Sequence, residues 1–338
     1  KKHTRVVVIG GGIVGASTLY HLTKLGWSDV VLVERKQLTA GSTWHAAGGF
    51  HSMNSDPNMA RLQAYAISVY EEVEKISGQD VGMHLTGGLN VAATTERWEN
   101  VRYEHEKLKV LGIESQLVGP GEIRDLCPII DTRDIIGGLF VGNEGNLDPY
   151  GSTHALAKAA QMAGAEVYLK TMVEDLVHKR DGSWTVITDQ GNIHCEHVVN
   201  AAGLWAREVG KMAGVHVPIV PMEHHYILTG DMDELAQWDG ELPLVLDLDG
   251  EMYLRQERNG VLLGVYEKNS TPWSLDGTPW DYAENDLLEP RLENIEDELM
   301  RGFERYPAVA EAGIRRIVNG PFTFAPDGNP LVGPVRGV

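Results

Sequence analysis

The chain has 338 residues, 43 % of them hydrophobic and 23 % charged, with a formal net charge of −19 at pH 7. That length can bury a sizeable core, so a sheet-based domain with a second lobe is expected rather than a string of modules. The negative charge argues against a nucleic-acid or anionic-membrane surface, and no apolar run reaches the length a bilayer span needs. Cys127 and Cys195 are the two cysteines; so far apart, they suggest neither a metal cluster nor a CxxC redox pair and read as reduced structural thiols.

Residues 5–9 (RVVVI) are a β-branched run that predicts a buried parallel strand, followed by Gly10-Gly11-Gly12-Ile13-Val14-Gly15 and a helix over 16–25. In this G-x-G-x-x-G pattern Gly10 permits the tight turn, Gly12 lets the backbone approach a pyrophosphate, and Gly15 packs helix on strand. The phosphates would sit on the helix N-terminus. A second strand over 29–33 ends in Glu34, spaced to accept hydrogen bonds from an adenosine ribose. Strand, turn, helix and acid together predict dinucleotide binding.

The next informative stretch is Gly41-Ser42-Thr43-Trp44-His45-Ala46-Ala47-Gly48-Gly49. A neutral imidazole is a nucleophile near neutral pH, so His45 beside a flavin could add to its 8-methyl carbon, and the small residues after it would let the loop lie flat on the ring. Without further context, a buried, hydrogen-bonded histidine is the plainer reading. Further on, a helix over 152–162, a parallel strand over 163–170, a hairpin over 184–188 and 191–194, and a strand from 197 into Asn200-Ala201-Ala202-Gly203-Leu204-Trp205 predict a return to the same sheet. Val173 could bracket an adenine or simply pack. The N-terminal position of the glycine turn, the Ala-Ala-Gly strand and the late Asp327-Gly328-Asn329-Pro330 segment favour FAD over NAD.

These strings, with Glu34-Arg35, Asn146-Leu147-Asp148-Pro149-Tyr150, Tyr253-Leu254-Arg255-Gln256-Glu257 and Asn319-Gly320-Pro321, resemble the flavin domain of the dimethylglycine and sarcosine dehydrogenase family, within the wider glycine and D-amino-acid oxidase group. The resemblance runs almost end to end. It implies FAD carried covalently by His45, with Arg35, Gly41 to Gly49, Ile13, Val14, Val173, Gly203 and Trp205 lining the cofactor. It also implies oxidative N-demethylation of a small N-methylated amino acid, most simply N,N-dimethylglycine to sarcosine, by hydride transfer to the flavin. Sarcosine or another N-methyl amino acid is an alternative substrate, and a non-catalytic flavin-binding subunit is an alternative of another class. The acceptor would be electron-transfer flavoprotein or oxygen. The expected compartment is a bacterial cytoplasm or a mitochondrial matrix, not the secreted space, although the opening Lys1-Lys2-His3 shows no signal-peptide pattern and by itself leaves the compartment open. Tetrahydrofolate would bind only on a C-terminal domain; Val338 is expected to fall before that domain and before a last Gly-rich turn against the flavin.

Strands predicted over 86–93, 137–142, 219–229, 251–255 and 260–266 would form an antiparallel sheet over the flavin. An amine substrate must lose its proton before hydride can leave, and an imidazole titrates where it can take it. His224 is the candidate base and Tyr253 the candidate anchor, as the resemblance also implies. Strand alternation turns His225 away and leaves Tyr226 a weaker candidate. Arg255 could hold a substrate carboxylate or pair with Glu257. Trp273 and Trp280 are expected to pack over this sheet, and residues 284–298 to form a solvated helix. The expected fold is α/β: a Rossmann-type FAD-binding domain (1–83, 147–218 and 315–338) interleaved with an antiparallel-sheet substrate domain (84–146 and 219–314).

Overall fold

Strand His3–Ile9 is the axis of the first layer in the computed structural model, which describes residues 1–282 and 286–338. Val6, Val7 and Val8 are buried because both faces of the strand are covered. Its parallel neighbours are Val30–Val33 and Gly191–Asn200, and the six-stranded sheet continues to Glu166–Tyr168 on one side and to Trp184–Thr188 and Val173–His178 on the other. Helices Ile13–Lys24, Pro57–Ser77 and Pro149–Met162 bury Leu19, Val69, Val73, Leu156 and Ala160 with Val6 and Val8 on one face.

Three elements differ from the sequence reading. The helix after the glycine turn starts at Ile13, inside the motif. The strand expected over 163–170 is only Glu166–Tyr168, because residues 163–165 close the preceding helix. The two strands read around 191–202 are one ten-residue strand, Gly191–Asn200, whose start pairs with Trp184–Thr188 and whose end reaches the glycine turn.

The second layer is an eight-stranded sheet in the order Ile314–Asn319, His225–Thr229, Gly260–Val265, Met252–Glu257, Leu244–Asp247, Gly88–Ala92, Gly137–Val141, Gln116–Val118. All neighbours are antiparallel except Leu244–Asp247 and Gly88–Ala92, which run parallel. The strand assigned from sequence to the nucleotide lobe, from residue 315, is the edge of this sheet instead. One face packs on the Glu296–Arg305 and Pro307–Ala312 helices through Leu254, Leu263, Leu299 and Val309. The helix expected over 284–298 begins only at Glu296, and the first part of that expectation, 284–285, lies outside the described residues. The opposite face carries one register row: Tyr226, Gly264, Tyr253, Leu246, Asn90 and Leu139.

The strand expected over 219–229 is broken. Val220–Met222 pairs with Phe322–Phe324, whereas His225–Thr229 joins the large sheet. Glu223 and His224 lie at the break, where the chain passes from one sheet to the other.

Candidate active site

The glycine turn is set by close backbone approach. Gly10 has φ 114°, and a Cβ there would lie 2.3 Å from the Ala201 carbonyl oxygen; at Gly15 it would lie 1.9 Å from the Gly10 oxygen. Neither obstacle is a flexible side chain, so both positions require glycine. The Glu34 carboxylate closes the turn by accepting from the Gly11 amide at 2.7 Å and the Lys36 amide at 2.8 Å. The helix N-terminus has no side-chain cap and no acid in its first turn, and Val14 beside it is 63 % exposed. First-turn amides that the N-cap residue Gly12 leaves without a side-chain cap, next to a bare apolar side chain, fit a dinucleotide pyrophosphate.

Residues 41–49 are pinned from both layers. Ser42 Oγ donates to the Pro321 oxygen at 2.7 Å, and Thr43 Oγ1 accepts from the Ile13 amide at 3.1 Å. Arg255 Nε donates to the Ala47 oxygen at 2.6 Å, and the Leu147 amide donates to the Gly48 oxygen at 2.9 Å. Gly48 has φ 75°, and a Cβ there would lie 2.3 Å from the Leu147 oxygen. Ala46 ends the short 3₁₀ turn Ser42–His45, and Gly49 starts a two-residue strand against Asn146.

His45 is 9 % exposed, its ring edge-on to Trp44 at 5.4 Å. Burial pushes its imidazole down to about 4, and the neighbouring His224 pushes the same way. It is therefore neutral at physiological pH and retains a nucleophilic nitrogen. Gly320 gives the ring its space, since a Cβ there would lie 2.3 Å from His45 Nδ1. The Gly320 amide also donates to the His224 backbone oxygen at 3.0 Å, so a single glycine holds the two histidines together.

His224 Nδ1 is 2.8 Å from Glu267 Oε2. His225 is not turned away from this group: its amide and its Nδ1 lie 2.7 and 3.1 Å from the other oxygen, Oε1. Both histidines reach one carboxylate although His225 alternates with Tyr226 onto the other face of the strand, because Glu267 lies just past the neighbouring strand Gly260–Val265. Burial raises the Glu267 carboxyl, but hydrogen bonds from the two histidines outweigh it and bring the group down to about 2. With Nδ1 occupied, His224 presents Nε2. The Tyr253 ring stacks on that of His224 at 6.4 Å and lies over Gly264, whose Cβ would meet the tyrosine oxygen at 2.4 Å. Burial raises the Tyr253 phenol far above its ordinary value, so it stays a neutral donor. Glu267 was not singled out from sequence, since a glutamate closing an apolar strand reads as solvated, and Gly320 entered only as part of the Asn319-Gly320-Pro321 string, without a role.

Several expected roles look different in three dimensions. Arg255 donates to Ala47, to the Gln256 oxygen and to Glu257, each at 2.8 Å or less, so it holds the loop. Tyr226 lies on the Tyr253 side of the sheet, across Gly264. The Val173 side chain is buried with Val7, Ile9, Val31 and Val33, which leaves only its backbone for a ligand. The Arg35 guanidinium lies 3.9 Å over the Trp205 ring and donates to the Trp280 and Tyr282 oxygens, while Trp205 Nε1 donates to the Pro279 oxygen. The loop bearing Trp273 and Trp280 therefore docks on the nucleotide lobe. Gly203, with φ 52°, opens the 3₁₀ turn that ends in Trp205. Both cysteines are free and buried.

Residues 5–338 match the model of the family described as FAD dependent oxidoreductase. The chain belongs to that family. It is 40 % identical to mouse (Mus musculus) mitochondrial dimethylglycine dehydrogenase over 100 % of this chain and 39 % of the relative. It is 33 % identical to the mouse mitochondrial pyruvate dehydrogenase phosphatase regulatory subunit over 97 % of the chain and 37 % of that protein. The chain thus spans about two fifths of the length of these relatives. Among solved structures it is similar to L-proline dehydrogenase from P. horikoshii, with a TM-score of 0.85, 25 % identity, and 99 % of this chain and 85 % of the other covered. The fold is that of FAD-binding oxidoreductases, as the glycine turn and two-sheet architecture require. Among the described residues, no helix is long and apolar enough to cross a membrane, and no group of three or more His, Cys, Asp or Glu could hold a metal.

Proposed function

We propose that this chain binds FAD covalently through His45 and oxidises an N-methyl group of a small amino acid, N,N-dimethylglycine before sarcosine. The observation that carries the reading is the convergence at Gly320: a buried neutral imidazole from the nucleotide side meets a carboxylate-backed imidazole from the substrate side. The resemblance to dimethylglycine dehydrogenase supports the substrate class.

The flavin, when bound, supplies the two-electron acceptor for a C–H hydride. Gly10, Gly12, Gly15 and Glu34 would hold its nucleotide, and residues 41–49 its ring. His224 takes the substrate ammonium proton at Nε2, freeing the nitrogen lone pair that assists hydride departure, and Glu267 stabilises the charged imidazole. Tyr253 donates its hydroxyl proton in a hydrogen bond that orients the substrate. Arg255 and Thr43 keep the loop fixed while this happens. The electron acceptor would be an electron-transfer flavoprotein or oxygen.

Anaerobic stopped-flow bleaching with a panel of N-methylated glycines tests the reading. We expect reduction by N,N-dimethylglycine, a slowing of roughly a hundredfold or more in His224→Ala, and colour retained in denaturant unless His45 is replaced. The second reading, a non-catalytic flavin subunit, is supported by similarity to the regulatory subunit and requires no bleaching by any member of the panel.

A further inference from the structure

Just beyond the flavin loop, Ser52 and Met53 end on a buried acid that none of the roles above uses. The Ser52 amide, the Ser52 hydroxyl and the Met53 amide donate to Glu144 Oε1 at 2.6, 2.8 and 2.9 Å. The other oxygen, Oε2, is buried without a partner, and Glu144 is 0 % exposed. Oε2 occupies the space of a missing side chain, since a Cβ on Gly88 would lie 1.9 Å from it. Asn90, two residues along the same strand and on the same face, is 4 % exposed and has an unpartnered Oδ1. Residues two apart on a strand share a face and are roughly 6.6 Å apart, so the Asn90 side chain neighbours the space that Glu144 fills over Gly88.

Glu144 Oε2 and Asn90 Oδ1 are both buried acceptor oxygens without a donor, and a hydrogen carried by one of them is what such a pair lacks. We propose that Glu144 is a positioning residue of the flavin loop that acts as a neutral acid, its Oε2 proton directed to Asn90 Oδ1 while Oε1 fixes the Ser52–Met53 turn. Burial pushes the Glu144 carboxyl up to about 7, against the pull of its three donors. The charged groups around it are few. Glu104, on the Thr95–Val110 helix, repels it and is itself raised by burial, with Lys107 and Arg97 opposing that rise from the same helix. On the loop, His51 is lowered by burial and therefore neutral. Gly88 and Asn90 on the strand carry no charge. Deprotonation would place a charge on a buried oxygen that has no donor, and the turn that sets the loop would shift to relieve it. Met53 transmits the shift, because it packs in the cluster that contains Tyr253 and Tyr226.

The proposal rests on residues 41–49 carrying flavin only for its optical probe; its infrared probe needs no flavin. In wild-type protein, with or without cofactor, a carboxylic-acid carbonyl band should be present at pH 6, fade as pH rises through about 7 and be missing in Glu144→Gln. In the holoprotein, the visible circular dichroism of the oxidised flavin should titrate with the same midpoint. Glu144→Gln, which keeps the donor toward Asn90 and the acceptor toward Ser52, should hold the low-pH spectrum at every pH. Gly88→Ala should evict the carboxyl and abolish the transition without touching Glu144. His224→Asn should leave it intact. Absence of the band in wild type, or a transition that survives Glu144→Gln or disappears in His224→Asn, overturns the proposal. If flavin does not bind, the infrared titration still decides it.

Discussion

Replacing Gly320 with alanine perturbs His45 without changing any polar group. The new methyl carbon would lie 2.3 Å from Nδ1, 2.5 Å from Cε1 and 3.0 Å from Cγ of the imidazole. Heavy atoms of this kind rest about 3.5 Å or more apart, so ring or strand must retreat by roughly 1 Å. Overpacking of this kind costs about 1–3 kcal/mol, part of it as an off-rotamer imidazole, and alanine recovers about 0.4–1 kcal/mol through the unfolded chain. A net loss of about 1–2 kcal/mol lowers Tm by only a few degrees in a chain of this size. The same 1 Å takes the imidazole nitrogen out of bonding position, and misplacement on that scale costs on the order of a hundredfold in rate. Gly320→Ala should therefore fold, bind flavin and fail to retain it covalently, as read by in-gel flavin fluorescence beside a thermal melt. The control is a double-mutant cycle. In a His45→Ala background the obstacle is gone, so Gly320→Ala should change Tm very little. An equal loss of stability in both backgrounds would mean that the methyl collides with something other than His45, and the reasoning would fail.

Glu267→Gln leaves the volume around the two histidines unchanged but removes the charge behind His224. Flavin reduction by substrate should slow about 10–100-fold, as when a carboxylate orienting a histidine is lost, with flavin content unchanged; an unaltered single-turnover rate would remove Glu267 from the mechanism. Gly15→Ala sets a methyl 1.9 Å from the Gly10 oxygen and should abolish flavin retention, measured as the ratio of visible to protein absorbance; a wild-type ratio would refute the turn geometry. In cofactor-free protein, the His45 imidazole at about 4 lies below its unfolded value of 6.5. Between those values the unfolded chain binds more protons, so stability rises with pH across that window. About 3 kcal/mol should be lost between pH 6.5 and 4 in wild type and retained in His45→Ala, as read by urea melts at each pH. Parallel losses in both proteins would show that His45 is not buried and neutral.

The glycine turn was legible because its constraints are local: glycine at 10, 12 and 15, a β-branched strand before and an acid at the end of the next strand each follow from backbone sterics within a few residues. Two long helices also carried plain local signals and were not read: Asp56 accepts from Asn58 and Met59 at the start of Pro57–Ser77, which ends at left-handed Gly78, and Thr94 caps Thr95–Val110. The break at Glu223 and His224 was of another kind. Residues 219–229 alternate as a single strand would, and only the partners show otherwise: Phe322–Phe324 for the first part, and Gly260–Val265 with Ile314–Asn319 for the second. Alternation within His225–Thr229 does set His225 on the face opposite Tyr226; what it could not show is that Glu267 reaches both histidines.

The remaining illegible features share one cause, which also governs how the site assembles. Residues 41–53 are held by Pro321, Arg255 and Glu144, separated in sequence from their partners there by 279, 208 and 92 residues. None of these bonds leaves a periodicity, a cap or a spacing in the chain. Arg255 illustrates the limit: beside Glu257 it reads equally as a surface ion pair or a carboxylate anchor, and only the position of Ala47 shows that it secures the loop. Because the pins come from both sheets, the loop has no fixed geometry until both sheets exist, and the imidazole of His45 cannot be placed before Gly320 and His224 are. The proposed flavin attachment would thus be tied to completion of the fold. A variant that loosens the large sheet far from the cofactor, at its contact with helix Glu296–Arg305 for example, should reduce the covalent fraction before it reduces nucleotide binding, since the glycine turn depends on the first sheet alone. Covalent and total flavin measured on the same Leu299→Ala preparation separate the two; equal losses of both would show that the lobes fold as one unit with no such order.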